Sequence, residues 1–480
     1  MDSIWQQDVS FPRRPTLPGD QRVQAAVIGG GMAGLLTAWT LQQRGVETLV
    51  LEAATVASGQ TGRTTAKLTA QHGLRLAGLL ASLGEEAARL YVRANQQAIE
   101  AFCALIEKRN IDCGLERCPS YLYSRRESDP LRREARAAEA LGVEAVFTTD
   151  TALPFSVRGA VCFPDQAQFH PLRFLRALTD ELTIYERTKV LSVNGKRVRT
   201  DHGDVVADHI VFATHYPFLL RPGYYFLRMH QQRSYVLALQ GAQKLDGMYL
   251  GVDADAGWSM RNAEGLLLLG GGGHRTGENR AGGQYRALRN AADQLWPGCV
   301  EKAHWSAQDC MTLDHVPYIG RFSASTPHWY VATGFEKWGM TSSMVAARLL
   351  ADCITGRRNP YAALFSPQRF TPSASAAHFL SDGAHAVRDL SRRVFSPPRA
   401  AVEALPPGHG GVVECDGEKL GVYKAPSGAL FCVSVRCPHL GCQLEWNPDE
   451  KSWDCPCHGS RFDYTGRLLD NPAQEGLERG

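Results

Sequence analysis

The sequence predicts an α/β domain opened by a βαβ unit, with an α+β region inserted into it and a small all-β module at the C-terminal end. Three observations carry this. A triple glycine near residue 30 lies between a β-branched apolar run and a stretch of helical periodicity. Short alternating runs separated by Gly, Asn and Asp turns fill residues 115–240, and short, tightly spaced strands close the chain after a Ser/Pro-rich stretch. At roughly 100–200 residues per domain, a chain of 480 residues holds two or three of them.

Val23 to Ile28 (VQAAVI) reads as the first strand, the glycines after it as a tight turn, and MAGLLTAWTLQQRG as a helix ended by Gly45. Val46 to Leu51 is a second strand ending at Glu52. Gly29-Gly30-Gly31-Met32-Ala33-Gly34 fits GxGxxG: Gly29 allows the turn, Gly31 lets backbone approach a pyrophosphate, and Gly34 permits close helix packing. Met32 and Ala33 open the helix whose N-terminus would face the phosphates. Glu52 is placed to accept hydrogen bonds from ribose hydroxyls, which makes this a dinucleotide site; an ordinary Gly-rich βα turn is the alternative. The small, polar segment ASGQTGRTTAKLTAQHG reads as a loop, and Leu74 to Lys108 as one long amphipathic helix or a pair. Residues 366–408 read as a linker holding one helix, and GVVEC, KLGVYK and ALFCVSV as strands of the last module.

Lys+Arg 52 against Asp+Glu 49 leaves a net charge of +3, too weak a field to point to nucleic acid. No apolar run approaches the ~18–20 residues of a membrane-spanning helix. The N-terminal Arg pair is followed by no apolar h-region, so a cytoplasmic protein without a transmembrane segment is expected. Six of the 13 cysteines (Cys415, Cys432, Cys437, Cys442, Cys455, Cys457) crowd the C-terminal module, in spacing suited to metal ligation.

Two boxes stand there: Cys437-Pro438-His439-Leu440-Gly441-Cys442 and Cys455-Pro456-Cys457-His458-Gly459-Ser460. Each offers a thiolate and an imidazole, a set that one tetrahedral zinc ion also accepts. The order C-x-H then C-x-x-H departs from the usual zinc pattern. With the strand WNPDEKSWDCPCHGSRFD and the tail GRLLDNPA, the boxes resemble a Rieske [2Fe-2S] domain over about Leu405 to Leu477. In that family one iron is held by two Cys and the other by two His. The resemblance implies Cys437, His439, Cys455 and His458 as ligands, and a disulfide between Cys442 and Cys457, the extra pair of the cytochrome-complex type. Two free buried thiols are the alternative there. It also implies that Ser460 donates to a cluster sulfide and raises the potential, while Phe462, where that type has tyrosine, lowers it.

Ser58 to Thr65, with Arg63, Thr64 and Thr65, resembles the loop lying along pyrophosphate and flavin in the D-amino-acid-oxidase (DAO) family. Thr188-Lys189-Val190 resembles its adenine-side strand, DHVPYIG (Asp314 to Gly320) its DxxPxIG motif, and TGFEKWGMT (Thr333 to Thr341) its TGFxxxG motif. Over about residues 20–360 this implies a Rossmann-like domain with an α+β substrate domain, the DAO/glutathione-reductase-like fold, and FAD as cofactor. Further cofactor contacts are implied at Val190, Gly320, Gly334, Lys337, Trp338, Gly339, Met340 and Thr341. The chain departs from the family at Lys337-Trp338, often Gly-His, and at Asp309, where an Arg commonly precedes the DxxP box; a carboxylate-binding Arg is not carried over. Cys310 lies near where some amine oxidases attach flavin covalently, a buried structural Cys being the alternative. His72, His215, Tyr216 and Arg233 are further candidates for facing the active site, and no catalytic acid or base is assigned.

The resemblances divide the chain into an N-terminal extension (1–22), an FAD-dependent oxidoreductase domain (23–365) with a substrate region at about 70–150 and 216–310, the linker, and a Rieske domain (409–480). They imply an amine or amino acid oxidised at FAD, with electrons leaving singly through the cluster to an external acceptor, a protein or a quinone. The other readings are a flavin reductase fed through the cluster, an O₂-using oxidase tuned by it, and a non-catalytic electron carrier or redox sensor.

Overall fold

The structure, a computed structural model, describes residues 2–254, 257–369, 404–415 and 417–479. The helix expected in the linker lies outside the described residues. Two sheets organise the chain up to residue 365. The first has the order Tyr318–Arg321, Trp329–Thr333, Asp204–Phe212, Gln21–Ile28, Thr48–Leu51, Thr183–Tyr185. Gln21–Ile28 pairs in parallel with Asp204–Phe212 and Thr48–Leu51. Thr48–Leu51 is buried along its whole length, as an uninterrupted apolar run is in a parallel sheet covered on both faces. At the turn, Gly29 has φ +110°, and a Cβ there would stand 2.4 Å from the Ala213 carbonyl oxygen. A Cβ on Gly34 would stand 1.9 Å from the Gly29 carbonyl oxygen, so only glycine lets the helix Met32–Gln42 close on the turn.

The second sheet has the order Val300–Thr312, Met229–Gln240, Leu266–Arg275, Ser259–Ala263, Met248–Gly251, Glu116–Ser124, Gly159–Gln168, Lys67–Leu68. It reaches beyond the expected substrate region because Gly159–Gln168 is the antiparallel partner that Glu116–Ser124 needs. The expected loop after Glu52 contains a 3-10 turn, Gln60–Arg63, and the short strand Lys67–Leu68. Leu74 to Lys108 is a helix pair, Leu76–Leu83 and Glu85–Lys108, broken at Gly84 with φ +84°. The N-terminal extension is tied into the domain: Ser3 caps the helix Ile4–Asp8, Trp5 is buried, and its indole N–H donates to the Thr64 carbonyl at 2.7 Å.

The C-terminal module stacks a three-stranded sheet (Gly410–Cys415, Glu418–Lys424, Leu430–Ser434) with a four-stranded one (Glu445–Asn447, Ser452–Asp454, Arg461–Asp463, Leu468–Asp470). Tyr423, Trp446, Trp453 and Phe462 fill its core. It docks on the second sheet through buried charge. Arg233 approaches Glu450 at 2.8 Å, and Arg461 reaches Glu450 at 3.2 Å, Asp454 at 3.0 Å and Asp470 at 2.8 Å. Arg233, read from the sequence as an active-site candidate, is instead a docking residue, because its guanidinium meets a carboxylate 217 positions away. Against the desolvation that would raise them, Arg233 and Arg461 hold Glu450 at about 2, and Arg461, Arg63 and Arg233 hold Asp470 at about 2. Asn279 donates to Asn447 at 3.1 Å and to Asp449 at 2.9 Å, and Asn471 donates to the carbonyls of Thr214 and Tyr216 at 2.8 Å.

Arg233→Met is expected to release the module, because it leaves Glu450 buried with one cation fewer; breaking such a pair costs about 3–5 kcal/mol. Limited proteolysis and small-angle scattering would read the release. Both carboxylates titrate lower in the folded chain than the ~4 of a free carboxylate. Their contribution to docking is therefore complete above pH about 4 and lost as pH falls toward about 2. Scattering profiles collected across that interval should expand in acid; docking unchanged at pH 2 contradicts the assignment.

Candidate active site and cluster site

A cavity of about 850 Å³ runs from the Gly29–Gly31 turn to the second sheet. It gathers most of the residues expected at the cofactor: Gly29, Gly31, Met32, Ala33 and Glu52 at the turn, Arg63, Thr64 and Thr65 on the loop, Val190, and Gly334, Lys337, Trp338, Gly339 and Met340 at the far end. Three expected residues do not reach its wall. Gly34 is the helix contact against the Gly29 carbonyl. Gly320 lies in a sheet strand, where a Cβ would meet Pro367 at 3.2 Å. The Thr341 hydroxyl turns toward His72 Nε2 at 3.2 Å and the Thr69 carbonyl at 3.4 Å.

The cavity fits FAD by its glycine cradle, its volume and its donor chemistry. Glu52 accepts from the Gly30 N–H at 2.7 Å and the Ala54 N–H at 2.8 Å, one on each oxygen, so each keeps a lone pair for a ribose hydroxyl. At the other end, Glu336 and Lys337 take left-handed backbone, φ +55° and +71°. Glu336, 2% exposed, holds this turn. Its carboxylate accepts from the Thr312 N–H at 2.6 Å and from Arg75 at 2.9 Å, and lies 2.9 Å from His315 Nδ1. The clamp presents Lys337 and Trp338 to the cavity. His72 stands behind Trp338, stacked at 4.6 Å, with Nδ1 on the Tyr91 hydroxyl at 2.7 Å. Burial, then the charge of Arg75, push His72 down to about 3, so it packs as a neutral ring and does not line the cavity. Tyr216 is buried with its hydroxyl 3.4 Å from the Met229 carbonyl, also away from the cavity. His215 does line it, at φ +64°, and its carbonyl accepts from Cys310 Sγ at 3.4 Å. Burial pushes the Cys310 thiol well up, which keeps it protonated.

In the C-terminal module the two boxes form facing loops. Gly441 N–H closes on the Cys437 carbonyl at 2.9 Å and Gly459 N–H on the Cys455 carbonyl at 3.0 Å. The loops bring the His439 and His458 rings to 4.9 Å and place the Cys437 and Cys455 thiols within hydrogen-bonding reach of each other. Nδ1 of both His439 and His458 is buried and has no protein partner, the state of an imidazole aimed at a metal. Two thiolates and two such nitrogens match the unequal ligation of a Rieske [2Fe-2S] cluster. The sulfurs of Cys442, Cys455 and Cys457 also lie within 4.8 Å of one another, but Cys442 and Cys457 form a disulfide and offer no thiolate. Ser460 Oγ accepts from the Ala473 N–H at 2.9 Å, which leaves its own hydrogen free to donate toward the cluster side.

The two sites meet through Gln231 and Gln308, to which the sequence reading gave no role, together with Cys310, Gln60 and the C-terminal tail. Gln231 donates to the His458 carbonyl at 2.7 Å, and Gln308 donates to the Gly459 carbonyl at 2.8 Å and to Gln231 at 2.7 Å. Cys310 Sγ, on the cavity wall, approaches Gln231 Oε1 at 3.8 Å. Gln60 bridges the cofactor loop to Asp470 at 2.8 Å, and the segment Leu468 to Gln474 contributes to the cavity wall itself. Two polar glutamines in otherwise strand-like runs were the only available signal. Ser460→Ala should lower the cluster potential by roughly 60–130 mV, the equivalent of the 1.5–3 kcal/mol of a hydrogen bond to a charged acceptor. An EPR-monitored redox titration would show it, and an unmoved potential would remove Ser460 from the account.

The family model for FAD dependent oxidoreductases (DAO) matches residues 24–353, and that for the Rieske [2Fe-2S] domain matches residues 397–479. The Rieske 2Fe-2S iron-sulfur protein YhfW of Bacillus subtilis is 35% identical over 100% of this chain and 97% of its own length. The iron-sulfur subunit 1 of the cytochrome b6-f complex of Nostoc is 44% identical over 47 residues, 10% of this chain and 26% of that one. In structure, glycine oxidase from Geobacillus kaustophilus aligns with TM-score 0.62 at 20% identity, over 73% of this chain and 99% of its own. L-proline dehydrogenase from P. horikoshii aligns with TM-score 0.59 at 17% identity, over 74% and 98%. Those two likenesses show the fold, while the family matches and the full-length relative establish that this chain belongs to the FAD-dependent oxidoreductase (DAO) family and carries a C-terminal Rieske [2Fe-2S] domain.

Proposed function

We propose that the protein is a dehydrogenase that oxidises the C–N bond of an amine or amino acid and exports the electrons one at a time through its Rieske cluster to an external acceptor. The observation that carries this is the hydrogen-bonded contact from the His458 carbonyl through Gln231 to Cys310 on the cavity wall. FAD, held by the Gly29–Gly31 turn, Glu52, the Arg63–Thr65 loop and the Trp338–Met340 helix start, supplies hydride acceptance from a carbon next to nitrogen. The cluster, held by Cys437, His439, Cys455 and His458, supplies one-electron transfer with no open coordination position. The chain's own part is to hold the two at fixed separation, to wall the donor with Trp338 and Trp258, and to keep Cys310 protonated and unreactive. The names of the structural neighbours, a glycine oxidase and an L-proline dehydrogenase, support a C–N donor.

His458 faces inward, edge-on to Phe226 at 5.9 Å. His439 is partly exposed, beside the exposed Leu440, and is the side from which an acceptor protein or quinone would approach. Among the described residues no helix is long and apolar enough to cross a membrane. We place the protein in the cytoplasm, where the unpaired thiols of the first domain, such as Cys103, Cys113 and Cys118, stay reduced.

Under anaerobic conditions, addition of the correct amine or amino acid should bleach the flavin absorbance and then raise the EPR signal of a reduced Rieske centre. Bleaching without any cluster signal would favour the oxidase. Flavin reduction that starts only from a reduced cluster would favour the reverse flow, and no bleaching by any C–N donor would leave the electron carrier.

A further inference from the structure

We propose, building on that reading, that Lys67 receives the carboxylate of the substrate, so that the donor is an amino acid and not a simple amine. Lys67 lines the same cavity and is only 9% exposed. Its ammonium donates to two neutral acceptors, the Tyr249 carbonyl at 2.7 Å and the Ser259 hydroxyl at 2.8 Å. Neither brings negative charge, and among the described residues no carboxylate lies at ion-pair distance from Nζ. An ammonium has three hydrogens, so one remains for a ligand in the cavity.

Its charged surroundings sharpen the case. From the strand Ser259–Ala263, Arg261 also sits buried without a carboxylate partner, its guanidinium donating to the carbonyls of Thr65 at 2.8 Å, Ala66 at 2.7 Å and Asn262 at 2.9 Å. From Glu116–Ser124, the thiol of Cys118 faces the pair. Burial, then Arg261, depress Lys67 to about 7, and burial depresses Arg261 to about 10. Glu116 and Glu264 act on Arg261 from beyond ion-pair distance, so two neighbouring buried cations without a contacting anion remain an expensive arrangement that a ligand's carboxylate would relieve. Of the other three cations on the cavity wall, Lys337 acts on Asp309, whose carboxyl it pulls down against burial, Arg63 acts likewise on Asp470, and Lys189 donates to the Gln474 carbonyl beside the C-terminal module. Ser259 lines the cavity beside Lys67, with Trp258 and Leu250 forming an apolar wall, so a carboxylate could bond both side chains while the rest of the substrate stays against that wall.

The test uses the FAD-loaded, full-length protein and follows perturbation of the flavin absorbance on titration with propanoate and benzoate, each against its uncharged amide. The wild type should bind the acids at least tenfold more tightly than the amides. Lys67→Met should abolish that preference by weakening the acids while leaving the amides unchanged, and Lys67→Arg should retain it. Equal binding of acid and amide by the wild type, no acid binding at all, or a preference that survives in Lys67→Met overturns the proposal. Should Lys67→Met fail to retain FAD, the wild-type comparison and Lys67→Arg still decide. The two readings fail separately. Neutral amines bleaching the flavin as fast as amino acids defeat the role of Lys67 and leave the dehydrogenase standing. An acid preference without bleaching by any C–N donor does the reverse.

Discussion

The buried charge cluster between the domains is the constraint on which the rest depends. Two arginines, Arg233 from the substrate sheet and Arg461 from the Rieske module, share three carboxylates, Glu450, Asp454 and Asp470. Such clusters add little net stability, because desolvation offsets most of the Coulombic gain. Their effect lies in the asymmetry: any relative shift of the domains strands a charge without a partner, so intermediate positions are penalised and one register survives. The cluster-bearing loop is thereby pinned on the strands whose other face lines the cofactor cavity. A flexible tether would give a distribution of separations and a rate set by the fraction of close encounters. A charge-locked interface removes that averaging.

The same principle recurs at the cavity. The Glu336–Lys337 turn holds two successive non-glycine residues in left-handed backbone, a conformation that persists only where the surroundings over-determine it. Arg75, His315 and the Thr312 N–H converge on the single carboxylate of Glu336 and supply that determination. Trp338 is then fixed by His72 behind it, whose neutrality follows from burial and permits flat stacking without a charge against the indole. Polar residues far apart in sequence thus set the aromatic wall.

What the sequence made legible is what short-range physics writes into it. The Gly29 turn, the helix behind it and Glu52 lie within one βαβ unit, and each glycine has a local steric reason that one can state without coordinates. The cluster boxes are equally local, whereas the pairing of Cys442 with Cys457, 15 positions apart, was implied only by the resemblance to the cytochrome-complex type. Arg233 was misplaced because nothing near it in the chain signals a carboxylate 217 positions on. Gln231, Gln308 and Lys67 give no signal for the same reason, since a polar residue in a strand reads as a solvent-facing position until a second domain or a cavity covers it. Gly320 and Thr341 illustrate the converse. They belong to recognisable motifs, yet the first meets Pro367 and the second meets His72, so membership of a motif does not by itself place a residue on the cavity wall.

The two cluster imidazoles are unequal in a way that bears on direction. His458 is buried by the flavin-domain side, with its backbone carbonyl held by Gln231 and its ring edge against Phe226. His439 carries no such cover and lies beside exposed Leu440. Under the proposed outward flow of electrons, a centre between the flavin and an acceptor would exchange with both from one position, since the charge lock opposes a swing from one to the other. It would then present a different edge to each. The inward edge is buried and hydrogen-bonded, a setting that would keep reorganisation small in the proposed transfer, and the outward edge is open to a partner. Fixing the domain and splitting its faces are therefore one structural solution, and the disulfide Cys442–Cys457, which ties the loop bearing His439 to the loop bearing His458, keeps the two edges in register.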